Sequence, residues 1–238
     1  MDEPREAVPV PDRPLTVGGM IAGVRMLAPL AIFVAPFGLA FGLAATEKGL
    51  APWVAIAMST LVFAGASQFA VLDLWAHPLP IAAILITTGI VNARHLLYGA
   101  ALYSWLRPVP PLQRLPLLAV MTDLAWANSM QAAERGERDA GILLGGGLLL
   151  WLVWIGSTAA GALLATGIGD PKRYGLDVVM VAFFAAAAVG QWRGRGDIAP
   201  WAAAAAAALA GLWLLPTGWH VIVGALVGGV VGVLRDDA

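Results

Sequence analysis

The 238-residue chain contains no cysteine, which removes disulfides, cysteine metal sites and thiol nucleophiles from consideration. Charge is nearly as scarce. Asp, Glu, Lys and Arg make up 12% of the residues, against about 25% in an ordinary soluble domain, so a water-soluble fold is excluded. A formal net charge of −1 offers no electrostatic footprint for nucleic acid or for an anionic surface. The sequence holds no phosphate-cradling P-loop and no HExxH zinc pair. No metal, no cofactor and no catalytic residue is expected, and the chain is read as something other than an enzyme.

What the sequence has instead is apolar length. Hydrophobic residues reach 60% and the mean hydropathy is +0.80. A helix crossing a bilayer needs about 20 apolar residues. Runs of that kind fall at about 20–45, 53–75, 79–106, 112–133, 141–168, 175–192, 198–215 and 217–234. The expected fold is therefore all-α: a polytopic membrane bundle of seven to eight spans in one domain, residues 18–238. Residues 1–17, with Pro4, Pro9, Pro11 and Pro14 among mixed charges, read as a disordered tail. That tail lacks the basic start and apolar centre of a signal peptide, so no cleavage is expected.

Lys and Arg in short loops set orientation. With eight spans, an N-terminus inside puts Arg5, Arg13, Arg25, Arg135, Arg138, Arg193, Arg195 and Arg235 in the cytoplasm. Lys48, Arg107, Arg114, Lys172 and Arg173 then fall on the other side. The balance favours the N-terminus inside.

Sixteen prolines and 28 glycines imply interrupted helices and close helix contacts. Pro36 in the first run and Gly65 in the second are the expected interruptions. Half-helix ends at such breaks offer free amides and a positive dipole to a carboxylate. Glycines four apart, at Gly19/Gly23, Gly38/Gly42, Gly141/Gly145 and Gly224/Gly228/Gly232, let backbones approach closely. Packing within the chain is the ordinary use of such pairs, and the last triple is the best candidate for an external seam. An echo between 49–68 and 175–191 hints at a duplicated half.

The third run contains Ile90-Val-Asn-Ala-Arg-His-Leu-Leu-Tyr98. A charge at the bilayer centre costs about 2.5–3.5 kcal/mol on insertion scales, so Arg94 must be satisfied internally or given water. Thr88, Asn92 and His95 recur at helical spacing, and Arg94 and Tyr98 form a neighbouring pair. A satisfied interior histidine is the ordinary account of His95 alone; the four polar residues together point to function. In the fourth run, Asp123 is a candidate either to pair with Arg94 or to carry a proton. Histidine side chains exchange protons near neutral pH, which makes His95 the alternative carrier. Asp73 and Asp177 fall near span ends, where interfacial solvation accounts for them. Asn128 and Gln191 read as interhelical hydrogen-bonders.

Pro36-Phe-Gly-Leu-Ala-Phe-Gly, Phe63-Ala-Gly-Ala-Ser-Gln68 and Asn92-Ala-Arg-His-Leu-Leu-Tyr98 together resemble the AzlC family of branched-chain amino-acid permeases. Thr122-Asp123, Gly175-Leu-Asp177 and Leu215-Pro-Thr-Gly-Trp219 extend the resemblance over roughly residues 20–235. It implies export of leucine, isoleucine and valine, in some members methionine, across the bacterial inner membrane. It also implies a small AzlD-type membrane subunit as partner. On the residues themselves, Phe37, Gly38, Gly65, Ser67, Gln68, Asn92, Arg94 and Tyr98 are the candidate substrate-binding set. Asp123 and His95 are the candidate proton-coupling pair. Two other classes stay open at this point: an intramembrane hydrolase using Ser67, His95 and Asp123, and a non-transporting scaffold subunit.

Overall fold

The computed structural model describes residues 15–168, 194–215 and 219–236, with isolated positions 185, 189 and 192. The N-terminal tail to residue 14, the run at 175–192 with Asp177 and most of the Leu215–Trp219 motif lie outside the described residues. So do Gln191 and the second half of the 49–68 echo. Every regular element among the described residues is a helix, as the apolar composition requires. Four of them are long and apolar enough to cross a membrane: Val17–Glu47, Ile81–Leu106, Gly141–Thr166 and Arg195–Leu214.

Helices α1 (Val17–Glu47) and α8 (Gly141–Ile168) are the longest. At 1.5 Å per residue, α1 is about 46 Å long, well beyond the roughly 30 Å hydrocarbon core. It runs unbroken through both Pro29 and Pro36, which corrects the expected interruption at Pro36. A proline deletes one hydrogen bond and crowds the preceding turn, but the helix continues on both sides of it. Gly38, half a turn on, lies flush against α8, so the segment is also held from outside.

The second run does break. Helix α2 (Pro52–Leu61) ends, Phe63 adopts φ 44°, and α3 (Gly65–Asp73) begins after an extended Ala64. The third run divides into α4 (Ile81–Asn92) and α5 (Arg94–Leu106), with a tightened turn at Ala93 closed by Leu96 N–H to the Ala93 carbonyl at 3.0 Å. The fourth run divides into α6 (Pro111–Ala119) and α7 (Asp123–Glu134). Two helices close the described chain, α9 (Ile198–Leu214) and α10 (Trp219–Asp236).

The described chain forms two compact units, one of residues 1–38 and 93–157, the other of residues 39–92 and 158–238. In the first unit, α1 and α8 run parallel. A Cβ built on Gly23 would lie 2.0 Å from the Ile142 carbonyl oxygen, and one on Gly145 would lie 2.0 Å from that of Met20. Gly38 would meet Ser157 Oγ at 2.0 Å. Asp139 ties the two helix starts together: its carboxylate accepts from Thr16 N–H at 3.0 Å, from Gly141 N–H at 2.8 Å, and from the Thr16 hydroxyl. This places a negative charge at two positive helix ends at once. Leu27, Leu102, Leu117, Leu143 and Leu150 fill the core around these helices.

Within this unit, residues 112–133 do not make the expected fourth span. Asp123, at the start of α7, meets Arg94 and Tyr98 at the start of α5, while Trp105 Nε1 at the end of α5 donates to the Glu137 carbonyl at 2.7 Å. Helix α7 therefore runs parallel to α5 and ends at the same level. Helix α6 must run the opposite way from the short link after Leu106. The segment folds back on itself, and Arg107 and Arg114 belong with Arg135 and Arg138 rather than opposite them.

In the second unit, the close contacts continue between the later halves of α1 and α8: Gly42 would meet the Thr158 carbonyl oxygen at 2.1 Å and Gly161 that of Leu39 at 2.0 Å. Gly224 and Gly228 are also used inside the chain, against Ala208 and Ala204 of α9. Of the C-terminal triple, Gly232 alone has open space.

Candidate functional site

Two polar clusters sit at the breaks, one in each unit. In the second unit the break at Val62–Ala64 exposes backbone groups that an apolar span cannot hydrate. Gln68 Oε1 accepts from the Ala64 N–H at 3.2 Å, and Ser67 Oγ donates to the Ala64 carbonyl at 2.9 Å. Gln68 Nε2 donates to Ser59 Oγ at 3.1 Å, and Ser59 shares a 2.9 Å hydrogen bond with Thr158. Asn92 Nδ2, at the end of α4, donates to Ser67 Oγ at 3.2 Å. Ser59, Ser67, Gln68 and Thr158 are all fully buried. Phe69 and Phe41 close the apolar side with an edge-to-face contact at 5.4 Å.

The Ser-Gln pair thus shapes the break as well as lining it. Ser67 gives its proton to a carbonyl, not to a base, which is no arrangement for a nucleophile. Ser67, Gln68 and Asn92, three of the eight residues named from sequence, meet here, while Arg94 and Tyr98 belong to the other unit; Ser59 and Thr158 were not named. Lone hydroxyls in apolar helices ordinarily bond their own backbone, so neither carried a signal. Gln68→Leu should lower stability in detergent by about 2–4 kcal/mol, because it strands the Ala64 N–H and the Ser59 hydroxyl in a dry interior. An unchanged melting curve would remove this role.

In the first unit, Arg94 Nη1 lies 3.2 Å from Asp123 Oδ2, and Tyr98 Oη donates to Asp123 Oδ1 at 2.9 Å. Tyr98 stacks on Trp126 at 4.6 Å, and the His95 ring meets it edge-on at 5.5 Å. The pairing of Arg94 with Asp123, one of two readings of that carboxylate from sequence, is realised. Among the described residues, three buried donors of α5 and α7, Arg94 Nε, Trp126 Nε1 and Asn128 Nδ2, have no hydrogen-bond partner. Asp123 reaches this position because Thr122 caps α7, its Oγ1 accepting from Ala125 N–H at 3.2 Å. Thr-Asp ahead of an apolar helix is an N-cap signature, and that signal could have located the break. Phe37 packs edge-on against Trp154 at 5.3 Å, and with Gly38 it belongs to the α1–α8 contact. No cluster of His, Asp or Glu suited to a metal occurs among the described residues.

Long apolar helices, interrupted partners and polar side chains gathered at the interruptions define a helical integral membrane protein. Residues 29–168, more than half of the chain, match the AzlC family (AzlC protein). The chain belongs to that family. It is 27% identical over 221 residues to the inner membrane protein YgaZ of Escherichia coli (strain K12), covering 90% of this chain and 89% of that one. An uncharacterized membrane protein of Archaeoglobus fulgidus is 32% identical over 137 residues, 57% of this chain and 58% of its own. The branched-chain amino acid transport protein AzlC of Bacillus subtilis (strain 168) is 28% identical over 156 residues, 65% of this chain and 61% of its own. No solved structure matches.

Proposed function

We propose that the protein is a secondary transporter that exports leucine, isoleucine, valine and methionine across the bacterial inner membrane, driven by the proton gradient. The observation that carries this reading is the family match, with a branched-chain amino acid transport protein among the relatives. The residues fit the chemistry. A zwitterionic apolar solute needs donors for its carboxylate and an apolar wall for its side chain. Each unit offers donors of its own: Arg94 in the first, and the α3 start at Gly65 with Asn92 in the second. Gln68 holds that start in shape, while Phe37 and Gly38 fix α1 on α8.

The fold-back of α6 and α7 lends support to the proposed orientation. Arg107, Arg114, Arg135 and Arg138 gather at the membrane face where α1 also begins, whereas Lys48 follows the far end of α1. Positive residues in short loops favour the cytoplasm, and this supports an N-terminus inside. A small AzlD-type membrane subunit is the proposed partner, and Gly232 on α10 leaves it room for close approach.

Counterflow in liposomes tests the substrate: labelled leucine, isoleucine and valine should exchange well ahead of alanine, aspartate or lysine. No exchange of the three branched-chain substrates would remove the reading. Coupling is tested separately with Asp123→Asn, which keeps the shape but cannot release a proton. That variant should still exchange amino acid for amino acid while losing accumulation driven by a pH gradient. Unchanged pH-driven accumulation would move the carrier to His95, and unchanged accumulation in His95→Gln as well would end proton coupling.

A further inference from the structure

We propose that residues 107–137 form a re-entrant hairpin whose tip, Val120-Met121-Thr122, gates the transport pathway from the arginine-bearing face, with Arg94 and Tyr98 latching it through Asp123. Both ends of the hairpin lie at the C-terminal end of α5, as the Trp105–Glu137 hydrogen bond requires. Its tip lies at the level of Arg94, whose position is midway along the 26-residue apolar stretch Ile81–Leu106. The tip therefore sits near the bilayer centre.

Non-helical backbone at that depth is tolerated only where protein buries it or water reaches it. Here the chain buries the tip on one side and leaves it open on the other. Val120 and Met121 are buried, Val120 against Gly147 of α8. Two residues on, the Asp123 side chain is 50% exposed and that of its partner Arg94 37%. A half-exposed ion pair at the bilayer centre needs cover from water or from a partner subunit, and we take that cover to be the water of the transport pathway.

The latch centres on Asp123, which joins α7 to α5 by charge and by hydrogen bond, with the Tyr98–Trp126 stack one turn beyond. Releasing one carboxylate frees the tip while the far end stays tied at Trp105 and at Asp139. The hinge then lies at the arginine-bearing face and the moving part at the membrane centre. Calling the tip a gate rests on the transport reading; the hairpin and its latch do not.

The chain has no cysteine of its own, so single cysteines report without background. Gln113→Cys and Glu137→Cys in oriented vesicles should both react with a membrane-impermeant maleimide from the same face. Reaction from opposite faces would refute the hairpin, whether or not the protein transports. Met121→Cys should react slowly from that face, and adding Asp123→Asn or Arg94→Gln should raise its rate about tenfold. Leu118→Cys, on the exposed side of α6, serves the same purpose if the buried Met121 position is not tolerated. An unchanged rate at both positions in both latch variants would refute the gate even in a protein that transports normally. Enhanced labelling in a protein that moves no amino acid would keep the latch and discard the transport reading.

Discussion

Gly145→Leu should leave almost no folded protein. A Cβ at this position would fall 2.0 Å from the Met20 carbonyl oxygen and 2.5 Å from its carbonyl carbon and Cα. These are backbone atoms of a parallel helix and cannot swing aside. Overpacking a core that can adjust costs about 1–3 kcal/mol, and here no side chain is available to adjust. Helices in a bilayer gain little from apolar burial, so close packing carries most of their association, and this clash removes it. Gly23→Leu should do the same against Ile142. Gly99→Ala is the control: open space surrounds that position, and exchanging glycine for alanine in a helix gains about 1 kcal/mol. Size-exclusion profiles of detergent extracts distinguish the two outcomes. A monodisperse peak of parental height from Gly145→Leu would mean that α1 and α8 do not pack as described.

Asp123→Ala should be the more damaging of two single changes at the Arg94–Asp123 pair, and removing both charges should restore stability without restoring transport. The single change leaves a guanidinium at the centre of a span with its Nε already lacking a partner. On insertion scales an unpaired arginine there costs about 2.5–3.5 kcal/mol. The pair is partly exposed, so water shares the charge and the lower end of that range applies. Arg94→Gln removes the costly charge and should destabilise less. The double variant Arg94→Gln with Asp123→Asn should melt near the parent while moving substrate about 100-fold more slowly, a loss of about 2.7 kcal/mol. Thermal melts in nanodiscs and initial rates in liposomes measure the two quantities separately. A double variant that transports normally would exclude Arg94 from substrate handling; one as unstable as Asp123→Ala would show that the pair's charge does not set stability.

Composition made the membrane and the helices legible, because twenty consecutive apolar residues leave few alternatives. The break at Gly65 was legible too, since a glycine followed by Ser67 and Gln68 weakens a helix in the middle of an apolar run. Pro36 misled, because a proline announces a missing hydrogen bond and not whether neighbouring helices hold the segment straight. Hydropathy reads 112–133 as a span because it counts apolar residues without regard to direction. Only the contacts of Asp123 and Trp105 reveal the reversal. The Arg94–Asp123 pair was readable because two opposite charges in an apolar setting seek each other. Ser59 and Thr158 were not, since the break they support must be folded before they meet.

The parallel docking of α1 on α8 also bears on how the chain is made. Met20 meets Gly145, so well over a hundred residues must leave the ribosome between the two partners of that contact. At about 5–20 residues per second, α1 waits roughly ten seconds in the bilayer with its glycine face unmatched. During that interval any helix bearing small residues can occupy the groove, including α1 of another nascent copy. Synthesis rate and translocon holding time, rather than final stability alone, then set the yield of correctly assembled protein. Slowing translation before α8 has emerged lengthens the exposure, whereas slowing it afterwards does not.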